Sequence, residues 1–225
     1  LLLLLFPLFF VSLAMHSKAG ELGEYLLSRS GEQVATYSIS VDFDYCLIDA
    51  ELTTKGVFMN TTAYLSSRSE CHGQAGWDLK AYKLTTEVLF KNLVLGDFYI
   101  SGEKIEYSEG IHDKSIMVDI DYDRSINRVG NLSVIFSVRD KLIQGAVSWE
   151  SDLVILSKDS NKPVIERRRY TLGCGQALSK EKSADLICVS SLGQTGPKFY
   201  WYRPDNDMAF VGSIKGQSIL WKADE

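Results

Sequence analysis

The feature that most constrains this chain is a sustained alternation of apolar and polar side chains. From Ala35 the series Ala35, Tyr37, Ile39, Val41, Phe43, Tyr45 and Leu47 is apolar, and the interleaved Thr36, Ser38, Ser40, Asp42 and Asp44 are polar. Successive side chains leave a β-strand on opposite faces, so a period of two sets one series against a core and the other in water. Ile116, Val118, Ile120 and Tyr122 repeat the pattern opposite Asp119, Asp121 and Asp123. Leu132, Val134, Phe136 and Val138 repeat it again, with Arg139-Asp140-Lys141 reading as the following turn. A long, mostly apolar face follows, from Ile143 through Val147, Trp149 and Leu153 to Ile155. No long segment carries the 3.6-residue period of an amphipathic helix. Only Glu21–Ser28 and Ser179–Leu186 suggest short helices.

Turn chemistry punctuates these runs at Lys158–Pro163, Gly193–Gly196, Pro204–Asp207 and Lys215–Gln217. Neighbouring runs then pair in sequence order. The expected fold is all-β: a single antiparallel meander of roughly a dozen strands forming a barrel or a strongly curved sheet. It holds at most one or two short helices. The alternative is a two-sheet β-sandwich. Runs of about 10–15 residues exceed the usual ~5–6 of a strand and favour the barrel. With no internal repeat or low-complexity linker, residues 20–225 read as one extracellular domain.

The chain opens LLLLLFPLFFVSLAMHSKAG, without a charge before Lys18. A bilayer-spanning helix needs ~20 apolar residues. The shorter run suits a secretory signal peptide over residues 1–14, cleaved near 14–19 beside the small residues Ser12, Ala14, Ser17 and Ala19. An initiator Met and a basic flank are absent, so the leader is expected to be truncated at its start; a membrane anchor is the alternative. The mature chain is expected to be secreted, with no further membrane span.

An even set of cysteines behind such a leader reads as disulfides. Of the three connectivities, Cys46–Cys71 with Cys174–Cys188 closes the shorter loops and is favoured on chain entropy. No C-x₂-C spacing supports zinc, and no metal or cofactor is expected. Two sequons offer N-glycosylation at Asn60 and Asn131. Asn60 falls opposite Val57, Met59, Ala63 and Leu65, and Asn131 shares a face with Ser133 and Ser137, so both side chains are expected in solvent. A formal charge of −5 and the lack of a basic stripe exclude a nucleic-acid partner. The cluster Arg167-Arg168-Arg169 reads as a solvated strand face.

Catalytic motifs are absent. Asp119-x-Asp121-x-Asp123 opens like a calcium loop, but Arg124 and Gly130 stand where an EF-hand needs Gly and Glu. His16, His72 and His112 have no zinc-like spacing, and no G-x-S-x-G elbow occurs. The leading expectation is a secreted, glycosylated, non-enzymatic binding protein. It takes a small apolar ligand in a barrel interior lined by Tyr37, Val41, Phe43, Phe136 and Trp149. An alternative lies in KFYWYRPDND, where a surface glycan would be gripped by Tyr200, Tyr202, Arg203, Asp205 and Asn206. A carboxylate-dependent hydrolase or a structural, adhesive coat protein are the readings from other classes.

Overall fold

A computed structural model describes residues 19–54, 61–71, 76–88, 91–109, 114–119, 126–156, 162–174, 185–205 and 207–223. Residues 1–18, which include the expected leader, Asn60, His72, His112, Asp121, Asp123, Asn206 and most of Ser179–Leu186 lie outside them.

The alternating run after Ala35 forms β2 (Glu32–Asp42), between β1 (Ala19–Arg29) and β3 (Leu47–Thr54). Ala35, Ile39 and Val41 are buried, whereas Ser38 and Ser40 are exposed. The run ends where Asp42 Oδ1 accepts the N–H groups of Asp44 and Tyr45, an Asx turn that leaves Tyr45 in solvent. Antiparallel pairing continues through β4 (Thr61–Glu70), β5 (Asp78–Val88), β6 (Lys91–Ser101), β7 (Lys104–Glu109) and β8 (Lys114–Asp119). On its other side β1 pairs with the last strand, β15 (Ser218–Lys222). From there the order runs back through β14 (Phe210–Lys215), β13 (Lys198–Tyr202), β12 (Ile187–Leu192), β11 (Pro163–Leu172) and β10 (Ser148–Leu156) to β9 (Asn127–Val129). Among the described residues the expected meander is therefore a single 15-stranded sheet, curved and not closed, with β8 and β9 as its ends. The turns expected at Gly193–Gly196 and Lys215–Gln217 join β12 to β13 and β14 to β15.

Ile143 and Val147, expected on an apolar strand face, precede β10 and are exposed, and two further segments depart from the expected pattern. Leu132–Val138 is not a strand: Ser133–Ile143 forms the helix α1, which also absorbs the turn expected at Arg139-Asp140-Lys141. The reason is topological. β9 and β10 pair in parallel, and a parallel pair needs a crossover of a dozen or more residues, usually helical. The alternation was ambiguous because Ile135 and Ser137 are buried along with Val134, Phe136 and Val138; a helix apolar on nearly every side hides its period. The other departure is Glu21–Ser28, which lies in β1 and pairs with strands on both sides.

α1 fills one end of the curved sheet. Trp77 stacks on Phe136 with ring centroids 4.5 Å apart, and Phe43 meets both rings edge-on. The Arg139 guanidinium lies over Phe43 and Phe136, and Asp140 Oδ2 accepts the Trp77 indole N–H at 2.9 Å. Tyr202 donates its hydroxyl to the Ile135 carbonyl. A second cluster packs Leu79, Tyr82, Phe98, Ile100, Ile105 and Tyr107 against Val154.

Side chains fasten the open seam. Arg128 of β9, with its side chain 2% exposed, pairs with Asp78 of β5 at 3.1 Å. It also donates from its backbone N–H to Asp78 and from Nη1 to the Gly102 carbonyl in the β6–β7 turn. Among the described residues no backbone ladder joins β9 to β5, so this pair holds one end strand against the fourth strand from the other end of the sheet.

Both disulfides have the expected pairing. Cys46–Cys71 joins the turn before β3 to the residue after β4, and Cys174–Cys188 ties the chain after β11 to β12, with Cα separations of 5.8 and 5.7 Å. Among the described residues no helix is long and apolar enough to cross a membrane. The arginine triplet divides by alternation. Arg167 and Arg169 lie on the exposed face, paired with Asp152 and Glu150. Arg168 points inward, 1% exposed, and pairs with Glu166 at 3.0 Å, which corrects the reading of the whole triplet as solvated.

Candidate functional site

Beside the N-terminal end of α1 the curved sheet retains a cavity of about 330 Å³. Its walls come from β1 to β5 on one side and β13 to β15 on the other, and Asn131 and Leu132, at the turn into α1, line it as well. The space arises from side-chain size: Ala50, Ala63, Ser213 and Ser218 stand where larger residues would meet across the interior. Leu52, Leu65, Leu84 and Leu220 make the apolar surface between them.

Tyr37 and Tyr82 contribute the polar groups of the sheet wall. Burial raises the pKa of both phenols, and burial together with neighbouring Tyr37 pushes Tyr82 up to about 12. Each is therefore a neutral hydroxyl at physiological pH, able to donate or accept a hydrogen bond.

The opposite wall carries Lys198 and Lys215, and among the described residues no carboxylate lines the cavity. The half-buried Lys198 ammonium sits 4.9 Å from the centroid of the Tyr200 ring. Among the described residues no carboxylate lies within ion-pair distance of it. Burial, and secondarily the charge of Arg168, pull its pKa down to about 8. Glu166 is engaged elsewhere: it pairs with Arg168 and accepts both the N–H and the hydroxyl of Thr195. Burial would raise its pKa, but those Thr195 bonds and the Arg168 charge hold it below the usual value. Lys215, exposed at the rim, donates to Thr195 Oγ1 at 3.2 Å.

Of the five residues expected to line a barrel interior, only Tyr37 reaches this cavity. Val41, Phe43, Phe136 and Trp149 belong to the packed core around α1, and Trp149 stacks on Tyr170. The expected glycan-binding lip loses its rings. Tyr200 and Tyr202 are both 0% exposed, and the opposite face of β13 is also covered, with Trp201 packed against Phe199 and Trp221. Arg203 and Asp205 do lie exposed in the following turn, where Asp205 Oδ1 accepts the Ala209 N–H.

Lys198 was missed by sequence reasoning although the signal was present. It shares a strand face with Tyr200 and Tyr202, so once those rings turn inward the lysine goes with them. Asn131 is exposed as expected, but on the turn before α1 rather than on a strand face. A wider depression of about 820 Å³ lies on the polar face of β2 to β6, among residues such as Ser38, Glu51, Tyr64 and Thr85. Those four stand in one cross-strand row. Among the described residues, no three His, Cys, Asp or Glu side chains converge as a metal site would require.

No protein-family model and no curated protein matches this chain. Among solved structures it is similar to a crystal structure of a beta-barrel-like protein of domain of unknown function DUF1849 from Brucella abortus. The TM-score is 0.52 at 10% sequence identity, covering 88% of this chain and 92% of that one. At that identity the likeness is one of fold.

Proposed function

We propose that the protein is a secreted, non-enzymatic binding protein that holds a small apolar ligand inside its curved sheet. The observation that carries this reading is the cavity of about 330 Å³, at the lower end of the ~300–1,000 Å³ typical of small-molecule sites. Its composition also suits binding: apolar walls with a few convergent polar groups that fix orientation. The apolar leader and the two disulfides support an oxidising, extracellular compartment. N-glycans at Asn60 and Asn131 belong to the same reading.

The test is titration with the neutral fluorescent probe N-phenyl-1-naphthylamine, alongside a native mass spectrum of the secreted protein. Saturable probe binding is expected, weakened at least tenfold by Ala63→Trp, which fills the cavity. Circular dichroism checks that the variant keeps its fold. Absence of saturable binding to the wild type, or equal binding by a folded Ala63→Trp protein, refutes the reading.

A further inference from the structure

We infer that the ligand is a single-chain amphiphile with an anionic head group, and that the head is taken by Lys198 while the apolar chain lies against the leucines of β3 to β5. The inference rests on the cavity-binding reading and names its ligand class. A cation withdrawn from water needs a compensating charge or hydrogen bonds. Lys198 meets the face of Tyr200, which supplies only part of that compensation, and the nearby Arg168 charge works against it. Glu166 already serves Arg168 and Thr195. Among the described residues the cavity lining itself offers Lys198 no carboxylate. The missing partner is therefore expected to arrive with the ligand.

The remaining chemistry agrees. Leu52, Leu65 and Leu84 accept a hydrocarbon chain and no second charge. Lys215 stands exposed at the rim, where a second cation attracts an anion to the mouth. Tyr37 and Tyr82, held neutral by burial, do not repel an anion and have hydroxyls to donate. Lysine acts as a point charge rather than a planar fork, so the site selects charge ahead of head-group shape.

The experiment compares decanoate, decyl sulfate and decanol, each below its micelle concentration, as competitors of N-phenyl-1-naphthylamine on the full chain. Both anions are expected to bind at least tenfold more tightly than decanol. Lys198→Met should abolish that preference, so that the anion and decanol affinities converge, and Lys198→Arg should retain it. If the probe and decanol bind but the anions gain nothing, or if folded Lys198→Met keeps the preference, the anionic head is refuted and the cavity reading survives. If the probe fails to bind the wild type, both fall. Loss of all binding in a folded Lys198→Met protein assigns the lysine a structural role and also overturns the inference. Should Lys198→Met not fold, the wild-type comparison of anions with decanol decides.

Discussion

Asp78→Asn tests whether the open seam is held by side chains. The Arg128 side chain, 2% exposed, donates to this carboxylate from Nε and Nη2, and its backbone N–H donates as well. The amide removes the counter-charge and turns one acceptor into a donor facing donors. Breaking a buried ion pair from one side costs about 3–5 kcal/mol, because the remaining charge stays buried. Lys80, also on Asp78 at 2.8 Å, still has Glu70 at 3.1 Å and is 31% exposed, so its share of the loss is small. A domain is stable by only ~5–15 kcal/mol. With a urea slope of ~1–3 kcal/mol/M, the midpoint at pH 7 should fall by about 1–5 M. Asp78→Leu with Arg128→Met should recover much of that, since apolar replacement of both partners is often neutral or stabilising.

The same pair shapes the acid limb of stability. Burial alone would raise the Asp78 pKa, but the hydrogen bonds from Arg128 and Lys80 and the Arg128 charge hold it below its ordinary value. A depressed folded pKa gives stability that is fully present above the unfolded value of about 3.9 and is lost as pH falls through the folded one. Asp78→Asn should therefore flatten the wild-type loss below about pH 4, leaving the part due to Glu166, whose pKa is also lowered. A midpoint shift equivalent to less than about 1 kcal/mol at unchanged slope refutes the argument. It would mean that Arg128 reaches water without its carboxylate.

Phe136→Ala removes the ring stacked on Trp77 and should cost about 3–5 kcal/mol in urea unfolding, the usual loss for a buried aromatic; a loss below about 1 kcal/mol would show that α1 does not anchor the core. Decanoate affinity should fall as pH rises above about 8, where Lys198 loses its proton, and decanol affinity should stay flat. Without ligand the sign reverses. The folded pKa lies below the unfolded value of about 10.4, so the unfolded chain binds more protons and stability should rise with pH between the two. Lys198→Met should remove that rise in pH-dependent urea titrations. Asn131 lines the cavity, so an N-glycan there should slow or weaken probe binding relative to Asn131→Gln from the same host; equal kinetics and affinity would place the glycan clear of the entrance.

What the sequence determined by itself was everything carried by neighbours along the chain. The period-two run of β2, the turn residues at Gly193–Gly196 and Lys215–Gln217, and the two short disulfide loops are local signals, and the structure follows each one. Tertiary structure decided the cases in which both faces of a segment are apolar. The backbone of Leu132–Val138 can be drawn as a strand or a helix with much the same residues buried, and the parallel pairing of β9 with β10 settles it as a helix. β13 carries aromatics on both faces, and only the wrapping of the sheet shows that Tyr200, Trp201 and Tyr202 are all buried. The cavity lies further still from the sequence. It exists because small side chains on β3, β4, β14 and β15 converge beside the N-terminal turn of α1. A void is a relation among residues distant along the chain, and no stretch of sequence contains it.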